Sequence, residues 1–212
     1  MVMTAPTNSQ RVILPNISWD TFETILAEMG DNRTTRLAYE QGRLEIMTPL
    51  MPHEHNNRLL EHLVFALAEE LNLNLKSTGS VTCKRPDLQR GVEPDSSFYI
   101  QNEPVMRNKQ YLDLSHDPPP DLIVEVDYTN ASVDRLPIYQ ALGVPEVWRY
   151  AQPVMQIYQL QQGVYVSCDV SPTFGNLPLT IEIPRFLEES CKIGEVAMIR
   201  SFRNWVKQQI GN

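Results

Sequence analysis

Cysteine is scarce in this chain of 212 residues, with only Cys83, Cys168 and Cys191, which lie far apart. An odd number at such spacing forms neither a disulfide framework nor a paired-cysteine metal site, so we expect reduced thiols. Long apolar runs are also missing, because no window approaches the roughly 18 to 20 residues that a membrane span needs. The sequence therefore predicts neither a disulfide-stapled domain nor a membrane protein.

Positive charge is in deficit, since the formal net charge is −8. This balance argues against a protein whose whole surface binds nucleic acid, although it is compatible with a local basic groove. Residues 1–10 lack the basic start and apolar core of a secretory signal, which predicts a cytoplasmic protein. We interpret residues 1–12 as a flexible N-terminal arm and residues 13–212 as a single domain, because 42% hydrophobic and 21% charged residues is ordinary globular composition.

Helical and strand patterns alternate along the chain, which is typical of a mixed α/β (α+β) protein. The patterns predict helices at 19–29, 52–73, 134–143, 186–190 and 195–208. They predict strands at 36–39, 43–47, 73–83, 92–100, 121–127, 144–150, 154–160, 163–167 and 179–183. Residues 101–120 are too polar and proline-rich for regular structure and are expected to form a long loop, which could fold over a site.

The helix at 52–73 has the clearest apolar stripe, because leucines recur every four residues from Leu59 to Leu71. Extending this row backwards reaches His55, which predicts an imidazole at the helix start that faces the interior. The sequence leaves two interpretations open: a hydrogen-bonded histidine at a helix end, or a histidine beside an acidic site.

Acidic residues lie at the ends of two predicted strands. Glu125 and Asp127 share one face of the strand at 121–127, and Asp95 follows Pro94 in an earlier strand. Carboxylates on neighbouring strands about 4.8 Å apart can share a cation, and Mg²⁺ is typically held by only one or two of them. Asp121 is roughly 13 Å along the strand from Glu125, too far for one metal, and is expected to be structural.

Three segments carry a resemblance to a known family: VEPDSSFYI at 92–100, PPDLIVEV at 119–126 and YQALGVPEVWRY at 139–150. Together with GRLEIMTP at 42–49, they resemble the restriction-endonuclease family often called Uma-two, within the PD-(D/E)XK nuclease superfamily. The resemblance implies a restriction-endonuclease-like mixed sheet flanked by helices, with additional hairpins. It also implies a Mg²⁺ (or Mn²⁺) site and a homodimer.

The resemblance also implies roles for individual residues. Asp95 and Glu125 correspond to the two metal-binding acids of the family motif, and Asp127 stands where the superfamily has a lysine. Arg135 matches a basic residue shifted onto the next helix, where it could orient a phosphate but would be a poor base. The polar residues of the first long helix that complete such sites correspond to Glu54 or His55. Glu45 could add a further carboxylate.

Two functions follow from these features. The first is a divalent-metal-dependent endonuclease acting on nucleic acid, with DNA as the expected substrate. Its phosphate track would be built from the basic residues Lys84, Arg85, Arg90, Arg107 and Lys109. The second is a catalytically degenerate module of the same fold that binds nucleic acid or a protein partner, which the missing lysine and the acidic net charge favour.

Overall fold

A computed structural model describes residues 10–30, 33–127 and 134–211 of the chain. The helices are α1 (Trp19–Met29), α2 (Met51–Glu70), α3 (Glu103–Met106), α4 (Leu136–Leu142), α5 (Leu179–Ile193) and α6 (Glu195–Ile210). The strands are β1 (Gln10–Leu14), β2 (Arg36–Glu40), β3 (Arg43–Thr48), β4 (Lys76–Ser77), β5 (Cys83–Arg85), β6 (Arg90–Val92), β7 (Ser96–Tyr99), β8 (Leu122–Val126), β9 (Glu146–Ala151), β10 (Val154–Gln161) and β11 (Val164–Cys168). No helix within these residues is long and apolar enough to cross a membrane.

The strands form two sheets. The first sheet has the order β1-β3-β2-β6-β5 and the second has the order β11-β10-β9-β8-β7-β4. Strands β8 and β9 run parallel, connected through α4, whereas the other paired strands are antiparallel. The predicted mixed sheet flanked by helices, with additional hairpins, is therefore confirmed.

Strand β8 is buried on both faces, as the alternation of its side chains predicts. Leu122, Val124 and Val126 belong to the main core, which they share with α2, α5 and α6. Ile123 points the other way and packs into a second core that includes Tyr139 of α4. Because both faces are covered by apolar side chains, the acids of this strand can be accommodated only where the strand ends.

The predictions of single strands at 73–83 and 92–100 are wrong, because each segment is divided between the two sheets. The segment 73–83 forms only β4 and the start of β5, separated by a turn in which Gly79 has φ of +56°. The segment 92–100 forms the end of β6 and then β7, and Pro94 lies between them because it has no amide to donate to a ladder. The break at Pro94 carries the chain from one sheet to the other.

The predicted strand at 179–183 is also wrong, since these residues begin α5. Leu179, Ile183, Phe186 and Leu187 are buried at the spacing of one helix face, although Pro184 lies inside the helix. Burial of this face outweighs the β-branched composition and the proline that suggested a strand. The expected long loop at 101–120 is largely present and contains only the single turn of α3.

The expected arm at residues 1–12 falls mainly outside the described residues, which begin at Gln10. Residues 10–12 are not part of a loose arm, because they belong to β1 and pair with β3 from Gln10 opposite Thr48 to Val12 opposite Ile46. All three cysteines are free thiols, as expected.

Candidate active site

The register of β7 and β8 brings Asp95 and Glu125 together. Ser96 pairs with Val124 in this antiparallel ladder, so one further step places Asp95 opposite Glu125. The backbone N–H of Val126 donates to Asp95 Oδ2 over 2.9 Å, which holds the aspartate against the end of β8. Both carboxylates are buried. Two acids that lie 30 residues apart in sequence thus become neighbours.

Glu125 is held by one cation and one phenol. Arg135 Nη1 donates to both carboxylate oxygens, at 3.1 Å and 2.8 Å, and the Tyr139 hydroxyl donates to Oε1. Burial raises the pKa of Glu125 to about 7, and the charge of Asp95 adds to the rise against the opposing effect of Arg135. Near neutral pH, Glu125 therefore exchanges between its protonated and ionised forms, and added positive charge would favour the ionised form.

Arg135 also connects this pair to a third acid. Its Nη2 lies 3.4 Å from Oε1 of Glu45, a fully buried glutamate of β3. Arg135 immediately precedes α4, which is the shifted basic position that the resemblance implied. The arginine side chain is 10% exposed and always charged, so it acts as a positive charge between two carboxylates.

The histidine at the site is His53, not His55. His53 is 2% exposed and its Nε2 lies 3.1 Å from Asp95 Oδ2. Burial opposes protonation of His53, but the contact with Asp95 prevails and raises its pKa. Burial likewise opposes ionisation of Asp95, yet the His53 contact and the charge of Arg135 lower its pKa.

The prediction that His55 faces the interior is wrong, because its side chain is 43% exposed and lies 3.5 Å from Glu195 of α6. A residue four positions back is displaced by about 40° around an α-helix, so three such steps from Leu67 to His55 rotate it away from the core. A step of seven residues returns almost to the same direction, and His53 precedes the buried Leu60 by seven. This sevenfold spacing is the signal that would have identified His53.

Glu54 does not join the acids. Its half-exposed side chain lies within 4 Å of Arg36 and Arg58.

Asp127 is close to the site but is paired with Arg149 at 2.7 Å and lies 3.7 Å from Arg11. The short ion pair of Asp127 is therefore with Arg149 of β9.

The predicted phosphate track is not a continuous row of free cations. Each of its five members is paired with an acid: Lys84 with Glu23, Arg85 with Asp87, Arg90 with Glu40, Arg107 with Glu103 and Lys109 with Asp117.

Asp121 has the structural role expected of it, because its carboxylate accepts from the backbone N–H groups of Ile100 and Asn102.

A small cavity of about 40 Å³ lies beside the acids. Its wall includes Glu125, Asp127 and Tyr139, together with Arg11, Arg135 and Arg149. A water needs roughly 10–15 Å³ by this measure, so the cavity accommodates about three waters or an ion with part of its hydration shell. The site therefore combines carboxylate oxygens with an arginine-rich wall that suits a phosphate.

The acids suit a hard divalent cation by their chemistry. Asp95 and Glu125 offer only oxygen donors, and burial raises the pKa of Glu125, so a nearby cation would favour its ionised form. Within the described ranges, no group of three or more His, Cys, Asp or Glu side chains is arranged to hold a metal. An ion here would therefore be held by two carboxylates and complete its shell with waters and phosphate oxygens, as Mg²⁺ commonly does.

Comparisons with known proteins identify the family and the fold of the chain. Residues 19–189 match the model of the Uma2 family, described as "Putative restriction endonuclease". Among solved structures, the chain is similar to a "putative nuclease belonging to DUF820" from Anabaena variabilis ATCC 29413, with a TM-score of 0.56 and 14% identity over 86% of this chain and 99% of that one. At this identity the likeness shows the fold alone. No curated protein matches the sequence.

Proposed function

Because this chain belongs to the Uma2 restriction-endonuclease family, we propose that it is a divalent-metal-dependent endonuclease that hydrolyses phosphodiester bonds of DNA. The observation that carries the proposal is the register that sets Asp95 beside Glu125, which itself lines a cavity walled by arginines. Mg²⁺ or Mn²⁺ is the proposed cofactor. A metal held by these acids would lower the pKa of a bound water and stabilise the charge that develops on the phosphate.

The protein side chains have separable roles in this proposal. Asp95 and Glu125 are the metal ligands. Tyr139 orients Glu125 through its hydroxyl, and His53 steadies the ionised form of Asp95, so both are positioning residues. If a metal neutralised Glu125, the guanidinium of Arg135 would be available to bind a phosphate oxygen.

Substitution of the ligands tests the proposal. Asp95→Asn and Glu125→Gln should each abolish Mg²⁺-dependent nicking of plasmid DNA, because each removes one of two charged ligands. Glu188→Gln is the matched control, since Glu188 is an exposed glutamate of α5 paired with Lys192. Thermal melts should show that all three variants remain folded. Nicking that survives Asp95→Asn at the wild-type rate would refute the assignment.

A second function is favoured by one specific observation. Glu125 and Asp127 are already paired with Arg135 and Arg149, as they would be in a catalytically degenerate module that binds nucleic acid or a protein without cutting. Calorimetric titration with Mn²⁺ separates the two functions. Binding that disappears in Glu125→Gln supports the nuclease, whereas no binding up to millimolar Mn²⁺ supports the module.

We further propose a homodimer in the cytoplasm, the compartment in which a DNA substrate would be encountered. Sedimentation equilibrium of the full chain measures the assembly directly. A mass of one chain across micromolar concentrations would contradict the dimer without affecting the proposed chemistry.

A further inference from the structure

A second concavity, a polar groove of about 550 Å³, is lined by residues of the segments 33–36, 78–84 and 110–112 and by Glu93. We define this groove by six of its lining residues: Arg33, Thr35, Arg36, Lys84, Glu93 and Tyr111. Glu93 precedes Asp95 by two residues, a reach of at most about 7 Å along the backbone. The backbone carbonyl of Glu93 also accepts from Arg135. The groove therefore adjoins the candidate active site.

The groove contains donors that the protein does not satisfy. The buried Nε atoms of Arg33 and Arg36 and the hydroxyl of Thr35 find no hydrogen-bond partner in the part of the chain that the structure describes. Arg36 makes a long ion pair of 3.8 Å with Glu54. Buried donors without acceptors are uncommon in folded proteins, and these three lie inside the wall of the groove rather than on its exposed surface. A phosphate group in the groove would meet Arg33 and Arg36, which line it, as positive charge.

The charge of the groove is modestly positive. Its cations are Arg33, Arg36 and Lys84, and its acid Glu93 is bound to Arg33, to the Thr82 hydroxyl and to the backbone N–H of Leu37. Lys84 is paired with Glu23 at 2.7 Å, but both side chains are more than one-third exposed. An exposed pair of this kind contributes little stability, so Lys84 can exchange its partner for a phosphate at small cost.

Tyr111 adds an aromatic surface. Its side chain is 86% exposed, although the segment around it is anchored. On one side, the Lys76 ammonium donates to the carbonyls of Met106 and Lys109, and on the other, Leu112 packs against the second core. An anchored, exposed tyrosine beside cations and hydroxyls has the elements of a single-strand binding surface, on which bases stack and the backbone follows positive charge.

We propose that this groove binds a single-stranded stretch of nucleic acid next to the cleaved bond, with a base stacked on Tyr111 and a phosphate held by Arg36 and Lys84. The proposal rests on the proposed nuclease function and refines its substrate class: a nucleic acid with an unpaired segment rather than a continuous duplex.

Binding of labelled strands tests the groove separately from cleavage. Fluorescence anisotropy in EDTA would compare oligo(dT), oligo(U) and a blunt hairpin duplex. Tyr111→Ala should weaken single-strand binding by roughly 5- to 150-fold, which corresponds to one lost stack of about 1–3 kcal/mol. Tyr111→Phe should retain most of the affinity because it keeps the ring. Tighter binding of oligo(dT) would identify single-stranded DNA as the ligand of the groove, and tighter binding of oligo(U) would identify single-stranded RNA. Both results support the proposal.

The salt dependence tests the phosphate contact. Lys84→Gln should lower the slope of log affinity against log salt by about 0.7, the value for one contact with a single strand. Lys192→Gln is the matched control, because Lys192 is also paired with a glutamate but lies on α5. This control should leave both the affinity and the slope unchanged.

The outcomes separate the groove from the chemistry. Asp95→Asn should bind oligo(dT) as the wild type does while it fails to nick. Unchanged single-strand affinity in Tyr111→Ala, or a wild type that nicks duplex yet binds no single strand, overturns the groove and leaves the proposed function intact. If Asp95→Asn still nicks, the proposed function fails, and the Tyr111 comparison still decides the groove.

Discussion

Two buried glutamates at opposite ends of the parallel β8–β9 pair are neutralised in different ways. Among the residues that the structure describes, Glu146 at the start of β9 accepts from neutral donors alone: Trp148 Nε1, the Ser171 hydroxyl, and the backbone N–H and hydroxyl of Thr173. Glu125, at the end of β8, is bound by Arg135 and Tyr139 and faces a cavity that also contains Asp127.

The difference separates a structural acid from one suited to chemistry. Trp148 of β9 and the 171–173 segment supply the donors of Glu146, so its carboxylate attaches that loop to the sheet and has no cation to exchange. Glu125 lies between the positive charge of Arg135 and a small cavity, where a metal or a phosphate can replace an existing partner. Burial raises the pKa of both carboxyls, so the pKa alone does not distinguish them.

The largest effect should come from removing the cation. Arg135→Met leaves Glu125 and Glu45 buried without their shared guanidinium, which should reduce the free energy of unfolding by about 3–5 kcal/mol near neutral pH. Urea unfolding measures the loss. Adding Glu125→Gln to Arg135→Met should recover part of the lost free energy of unfolding, because it removes the buried charge of the Glu125 carboxylate. A loss below about 1 kcal/mol would show that the arginine is not needed there.

Removal of the neutral network should have a smaller effect. Glu146→Ala leaves the donors of Ser171, Thr173 and Trp148 without their acceptor, and should lower the free energy of unfolding by about 1–3 kcal/mol. Glu146→Gln, which keeps one acceptor oxygen, should lose less. Nicking activity per folded molecule should be unchanged in both, and a selective loss of activity would mean that the two acids are not separate in function.

Added metal should affect only one of the two acids. At ten times its dissociation constant, Mg²⁺ should stabilise the wild type by about 1.4 kcal/mol, since it binds the folded state alone. The thermal midpoint with and without Mg²⁺ measures this gain. Glu125→Gln should abolish it and Glu146→Gln should keep it. Equal gains in both variants would place the ion elsewhere.

The smallest effect concerns pH. Burial raises the folded-state pKa of Glu146 above the value of about 4.3 for an unfolded chain, so the folded state holds the proton more tightly. Its contribution to stability is full below the unfolded pKa and is lost as pH rises through the folded pKa. The free energy of unfolding of the wild type relative to Glu146→Gln should therefore fall across that window. Parallel curves from urea melts at several pH values would contradict this.

Local patterns predicted much of the fold because they are set by periodicity. The alternation of β8, the strands of the hairpins β2–β3 and β10–β11, and the bounds of α1 follow from short-range sequence. The division of the strands at Gly79 and Pro94 was not predicted, since it depends on which sheet each half joins. Residues 179–183 adopt a helix because their apolar face meets the core, which outweighs local propensity.

The candidate site was predictable in part. The pairing of Asp95 with Glu125 was expected from the motif and from neighbouring strands. The resemblance put a basic residue, Arg135, on the next helix, and its contact with Glu125 is seen only in the structure. His53 was missed because a row of leucines was extended along a helix in steps of four, which rotate around its axis. The network of Glu45 with Arg11 and Arg135 depends on β1 and β3 meeting the end of β8, a tertiary contact that spacing in the sequence does not encode.

The antiparallel ladder of β7 and β8 gives the two acids a spacing that is independent of the chain between them. Residues 101–120 connect the strands, yet the distance between Asp95 and Glu125 is determined by backbone hydrogen bonds and by the Val126 amide. This connection can therefore lengthen, shorten or change in sequence without altering the distance between the acids. The same pair of carboxylates can then be combined with different loops, and in our proposal the segment that presents Tyr111 is one that binds substrate.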